Sequence, residues 1–222
     1  MKRILALILC FVMVFSLVAV AEETAATATP TATTEFSDVP STSPYKEAIS
    51  TLTGLGIILG DAGSDTFRPE AGITRAEFCA VVCRALGFNQ EAAPTATAFS
   101  DVPAEHWASG FVVQGVSKGY INGMGDGTFA PEANIKYEQA VKMVVSALGF
   151  DPMAASKGGW PTGYLVVANT YKITEGVSNS TRADVAILIY NALSTPMMDQ
   201  TTWGADAEFE KEITDKILAT FD

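Results

Sequence analysis

Two arginines occupy matching places in this chain: Arg75 follows Thr74 in ITRAE, and Arg182 follows Thr181 in STRAD. Glu77 and Asp184 each lie three residues after the threonine. This is the spacing of a capping box, in which hydroxyl and carboxylate satisfy free backbone N–H groups at a helix start. A guanidinium in that first turn faces the positive end of the helix dipole, at a cost of a few tenths of a kcal/mol (~0.3). An anion bound there would meet N–H donors, the dipole and a planar fork that grips a carboxylate through two hydrogen bonds. The alternative is an ordinary ion pair with a nearby acid. Either way the arginine disfavours its own helix slightly, so folding is expected to survive its removal.

Other chemistry-bearing residues give weaker patterns. Cys79 and Cys83 lie four apart without a second ligand pair, and His106 is the sole histidine, so zinc is not supported and the cysteines read as small core residues without a disulfide. No Ser, Cys or paired-carboxylate arrangement accompanies His106, so no enzyme is expected. The loops GDAGSDTFRPE and GMGDGTFAPE carry acids and glycines but lack the D-x-[DN]-x-[DN]-G-x5-E order; turns explain their carboxylates as well as calcium does. No cofactor or metal site is assigned.

The elements that must position the arginines come in repeats. FSDVP at 36–40 recurs at 99–103, an offset of 63, and TFRPEAGI at 66–73 matches TFAPEANI at 128–135 with an offset of 62; both copies close on ALGF. A third copy starts at Trp160, where WPTGYLVVANTYKITEG follows WASGFVVQGVSKGYING from Trp107, and TRADVAILIYNAL follows TRAEFCAVVCRAL. Its loop is shorter by about eight residues, by direct count in the repeat comparison. Units of this size each need neighbours to cover their apolar faces.

Within each unit, Phe78, Val81, Val82, Ala85 and Leu86, and likewise Val185, Leu188, Ile189, Ala192 and Leu193, recur at the spacing of an amphipathic helix. An earlier helix is expected over 45–55, 107–118 and 160–171. Each unit is helix, glycine-rich loop, helix. Asp38 and Asp101 are expected to cap or form the opening turn, with the following proline fixing the bend.

Taken together, FSDVP, HWAS, INGMGDGTFAPE, ITRAE and ALGF resemble the S-layer homology family, over about residues 36–194. The resemblance implies an all-α fold, three helix-loop-helix repeats in a pseudo-threefold bundle. It also implies non-covalent attachment to the cell wall through secondary wall polysaccharide. The Arg of TRAE and polar or aromatic residues of inter-repeat grooves are then expected to contact the glycan, often through an acidic ketal on the sugar. The implied ligand-binding set is Arg75, Glu77, Arg182, Asp184, Asp38, Asp101, Trp107, Trp160, Lys136 and Tyr137. The chain departs from the pattern where Lys136 and Tyr137 replace Thr-Arg; Tyr137 lacks the guanidinium and Lys136 lacks its fork. Pro44 and Tyr45 stand where the other copies have Trp107 and Trp160, rings that either stack on a sugar or anchor the helix. Repeats one and three, which supply the arginines, are expected to carry the working pockets.

The expected layout is a signal peptide over 1–21, a Thr-rich leader over 22–35, repeat 1 over 36–88, a linker over 89–98, repeat 2 over 99–150, repeat 3 over 151–194, and a tail over 195–222. In the tail, Phe209, Ile213, Ile217 and Phe221 suggest a last helix. Lys2 and Arg3 precede the apolar run 4–20, and Ala19-Val20-Ala21 fits a cleavage site before Glu22. That run falls short of the roughly 20 residues a membrane-spanning helix needs. Cys10 lacks the small residues of a lipidation site before it.

Without Lys2 and Arg3, 12 basic residues face 25 acidic ones, a net charge of −13. Such a surface repels nucleic acid and anionic lipid, so an anionic partner must be met by local basic pockets. No nucleic acid and no membrane insertion after signal removal are expected. A secreted, wall-bound anchoring module is the leading reading, and a structural protein that assembles with surface-layer proteins is the other.

Overall fold

The computed structural model describes residues 35–88, 95–200 and 209–216. The signal peptide, nearly all of the leader and part of the 89–98 linker lie outside them. The described chain is helical. Repeat 1 forms α1 (Lys46–Gly54) and α2 (Arg75–Ala85); repeat 2 forms α3 (Ser109–Ser117) and α4 (Tyr137–Ala147); repeat 3 forms α5 (Asp151–Ser156), α6 (Thr162–Thr170) and α7 (Arg182–Leu193).

The packing runs in a closed cycle. The second helix of each repeat lies against the first helix of another: α2 on α3, α4 on α6, and α7 on α1. The three second helices also touch one another pairwise and form the centre. Their role explains their composition. On α2, Phe78, Val81, Val82 and Ala85 are buried with Ala76, Cys79, Ala80 and Cys83, so the helix is enclosed nearly all round rather than along one face. Cys79 and Cys83 are free thiols within this core, and the Cys83 thiol points at the Phe111 carbonyl (3.4 Å).

Thr74 and Thr181 begin α2 and α7 as expected. Each hydroxyl accepts from the N–H of the third helical residue, while Glu77 and Asp184 return bonds to the threonine N–H groups at 2.8 and 3.1 Å. At the start of α4 only the return bond survives, from Lys136 N–H to Gln139 Oε1 at 3.1 Å, because an ammonium has no acceptor to offer.

The FSDVP aspartates, expected as caps or turn formers, tie the opening turn to a distant loop. Asp38 accepts the N–H groups of Phe67 (2.8 Å) and Arg68 (2.7 Å), and Asp101 those of Phe129 (2.8 Å) and Ala130 (2.7 Å). Each carboxylate therefore staples the opening turn to the loop before the second helix. Arg68 and Ala130 both sit at φ 57°, a left-handed conformation that side chains other than glycine disfavour, and the paired amide bonds hold them there. The same junction needs a bare glycine: a Cβ on Gly60 or Gly123 would come within 2.3 Å of the Phe36 or Phe99 ring.

The tail corrects the expectation of a last helix. Residues Phe209–Lys216 form strand β2, antiparallel to β1 (Pro196–Gln200), with Met198 opposite Lys211 and Gln200 opposite Phe209. Met198 N–H donates to the Leu148 carbonyl at 2.8 Å and fixes β1 in extended form at the end of α4. Its ladder then offers residues 209–216 more than a short helix gains alone, since helices under ~12 residues are marginal in water. Ile217 and Phe221 lie outside the described residues.

Candidate functional site

Each arginine crosses to a neighbouring repeat. From repeat 1, Arg75 donates through Nε to the Phe129 carbonyl (2.8 Å) and through Nη2 to the Asn122 carbonyl (3.2 Å) of repeat 2. From repeat 3, Arg182 donates through Nε to the Phe67 carbonyl and through Nη2 to the Leu59 carbonyl of repeat 1, both at 2.7 Å. The guanidinium groups lie over the Phe129 and Phe67 rings, 4.8 and 4.7 Å from their centroids. The residues are 4% and 6% exposed. Burial lowers both guanidinium pKa values from the ordinary arginine value, yet an arginine stays charged in a folded protein.

Among the described residues no carboxylate lies within 4.0 Å of either group, so the ion pair considered as the alternative does not form. The helix starts are not open to an anion either. Arg75 and Ala76 donate their N–H groups to Ala133 and Pro131 carbonyls, and Arg182 and Ala183 donate theirs to Ala71 and Pro69 carbonyls. Of the anion-binding elements expected at these positions, only the guanidinium remains.

Three inter-repeat grooves follow the cycle. Groove 1 (about 250 Å³) is made by the 58–62 loop and α2 of repeat 1, with Arg182 from repeat 3 and Trp107 from repeat 2. Groove 2 (about 220 Å³) is made by the 120–124 loop and α4 of repeat 2, with Arg75 from repeat 1 and Trp160 from repeat 3. Groove 3 (about 420 Å³) is made by residues 175–178 and α7 of repeat 3, with Pro44 and Tyr45 of repeat 1 in the tryptophan place.

The first two grooves share a chemical design. Trp107 and Trp160 are 52% and 51% exposed, beside Leu59 and Met124, which are also exposed. An apolar ring edge and a buried cation thus face one cleft, a surface suited to a sugar ring carrying an acid. Their charge differs. Groove 1 holds Arg68, Arg84 and Arg182 against Asp61 and Glu77, with Arg68 gripping Asp61 through two bonds of 2.6 Å. That grip lowers the Asp61 pKa. Among the described residues, groove 2 has Arg75 and Lys142 and no acid in its lining. Groove 3 has Glu47, Glu70, Glu175 and Asp184 and no cation.

The expected site residues therefore divide. Arg75 joins Trp160, and Arg182 joins Trp107 and Glu77. Asp184 lines groove 3, where its carboxylate accepts from Ser178, Asn179 and Thr181 N–H groups. Burial raises its pKa, but these bonds and the Thr181 hydroxyl outweigh it and leave the pKa lowered. Asp38, Asp101, Lys136 and Tyr137 line none of the three grooves.

The arginine-bearing repeats one and three are also not the repeats that form the grooves around them: those grooves belong to repeats two and one. Lys142 escaped sequence reasoning because its counterparts are Ala80 and Ile187, so no repeat pattern marks it. The position of Tyr137 now has a reason. The carbonyls that receive Nε of the other two arginines belong to TFRPE and TFAPE, which the shortened repeat 3 lacks.

No helix among the described residues is long and apolar enough to cross a membrane, and no group of three His, Cys, Asp or Glu there is placed to hold a metal. The S-layer homology domain family model matches residues 35–79 and 98–141. The chain is similar to a "Cell surface protein" of Thermoanaerobacter kivui, 33% identical over 206 residues, covering 89% of this chain and 25% of the relative. It is 32% identical over 181 residues to a "Middle cell wall protein" of Brevibacillus brevis (79% of this chain, 17% of the relative). It is 34% identical over 99 residues to a "Cellulosome-anchoring protein" of Acetivibrio thermocellus (43% of this chain, 22% of the relative). The chain thus spans a quarter or less of the length of these relatives. With the repeated helix-loop-helix geometry, these matches identify two stretches of this chain, residues 35–79 and 98–141, as S-layer homology domain repeats.

Proposed function

We propose that this chain is a non-catalytic anchoring module that holds wall polysaccharide non-covalently in grooves 1 and 2. It works at the cell surface. One observation carries the reading: in both grooves a buried guanidinium, without a carboxylate within 4.0 Å among the described residues, faces a half-exposed tryptophan contributed by a third repeat. A buried cation of this kind is compensated when a ligand acid reaches it, and the indole offers a flat face to the sugar.

Residues 151–194 act as a third repeat of the same family, shortened in its loop, whose groove is acidic and does not take the same ligand. The acid on the glycan is a ketal carboxylate, as the family resemblance implies, and the chain reaches the wall by secretion behind the 1–21 signal.

The test is sedimentation of the full chain with purified wall fragments, before and after chemical removal of their polysaccharide. Pelleting only with intact wall supports the reading. Pelleting that persists on stripped wall, or only in the presence of surface-layer protein, overturns it in favour of protein-mediated assembly.

A further inference from the structure

Among the described residues, groove 2 contains a second cation in a lining without an acid, whereas the cations of groove 1 share their cleft with Asp61 and Glu77. Lys142 Nζ lies 5.4 Å from the Trp160 ring centroid and 5.5 Å from that of Tyr164, with no carboxylate within 4.0 Å among the described residues. Two aromatic faces attract an ammonium and fix its position without cancelling its charge. A carboxylate does cancel it, as Asp61 does for Arg68 in groove 1. The Tyr164 hydroxyl is itself held by Asp151 Oδ1 at 2.7 Å, which also accepts from Ser146, so the ring under Lys142 is anchored. Arg75 lines the same cleft, which carries two positive charges and no acid.

We propose that Lys142 reads a second negative charge on the bound sugar, so that groove 2 prefers a doubly anionic sugar, such as a phosphate monoester, to a singly charged one, while groove 1 does not. This rests on the reading that grooves 1 and 2 hold wall glycan. Arg75 supplies a directional fork for one anionic oxygen pair, and Lys142 supplies a compact charge with rotating donors in the same cleft. A sugar with one carboxylate satisfies one of them; a dianion is held by both.

The test follows the indole N–H signals of Trp107 and Trp160 by NMR, assigned with Trp107→Phe and Trp160→Phe, while the full chain is titrated with three probes. These are N-acetylglucosamine, glucuronic acid and N-acetylglucosamine 6-phosphate. The Trp160 signal should saturate at about fivefold lower concentration with the phosphate than with glucuronic acid, the size expected for one added exposed ion pair. Lys142→Met should abolish that difference, Lys142→Arg should keep it, and the Trp107 signal should show no preference in any of these proteins.

Equal responses of Trp160 to both acids, a preference that survives Lys142→Met, or no response of Trp160 to any probe would overturn the proposal. Should these occur while the chain still pellets with intact wall, the anchoring reading stands and only the role of Lys142 falls. Should pelleting fail too, both fall.

Discussion

Arg182 Nε donates to the Phe67 carbonyl at 2.7 Å across 115 residues of sequence, tying the last repeat to the first and closing the cycle that Arg75 and Phe129 begin. The same side chain therefore holds repeats together and lines a groove. Arg75→Ala and Arg182→Ala should each destabilise the fold by about 2–4 kcal/mol, since each removes two charged hydrogen bonds and strands buried carbonyls. Chemical denaturation reads this as a lower midpoint. The variants are still expected to fold, at a larger cost than the few tenths of a kcal/mol (~0.3) of the helix dipole alone, because both arginines are buried; an unchanged midpoint in both would contradict the geometry.

Asp101→Ala should leave the Phe129 and Ala130 N–H groups unpaired and lower stability by about 1–3 kcal/mol. Ala130→Gly should act in the opposite sense and raise it by about 1 kcal/mol, because residue 130 sits at φ 57° and only glycine adopts that region without strain. Thermal or denaturant midpoints of the two variants, measured together, check the staple.

The Asp184 pKa is lowered in the fold. A carboxyl whose folded pKa lies below its unfolded one adds stability above the unfolded value, about 3.9, and that contribution is lost as the pH falls through the lower, folded value. Stability should accordingly be flat with respect to this group from neutrality down to about pH 4 and decline below it. Asp184→Asn should be less stable at neutral pH and show a shallower acid decline; an equal slope in both proteins would rule out the role given to this carboxylate.

Tyr137→Arg restores the family residue in repeat 2, yet it should not create a third binding groove. Repeat 3 lacks the TF-x-PE loop whose carbonyl receives the arginine, and groove 3 is lined by four acids. The variant should match the parent in wall binding and be no more stable. Tighter binding would show that the missing guanidinium alone silences that groove.

How much of this was legible in the sequence depended on range. The caps at Thr74 and Thr181 and the helices behind them are local, set by residues three or four apart, and the repeat register revealed the closed helical assembly through the family resemblance. What Arg75, Asp38 and Trp107 touch is decided by contacts with other repeats or with loops some 30 residues away, and their residue types fit several partners. Asp38 reads as a cap or turn former because aspartate commonly fills both places; only the fold shows that it accepts from the Phe67 and Arg68 amides. The tail was misread because Phe209 and Ile213 suit a helix period, while the pairing that makes 209–216 a strand comes from β1.

The central claim is that grooves 1 and 2, and not groove 3, hold the wall polymer. Its most direct test compares equilibrium binding of purified wall polysaccharide to the parent, to Trp107→Ala with Trp160→Ala, and to Tyr45→Ala. Both tryptophans are half exposed, so their loss leaves the core intact. If a sugar on each ring gains at least the ~1 kcal/mol at the low end of base–aromatic stacking, the double variant should lose at least tenfold. Tyr45→Ala should bind like the parent, and the double tryptophan variant should unfold at nearly the parent's midpoint. Parent-like binding by the folded double variant, or a larger loss in Tyr45→Ala, would contradict the account.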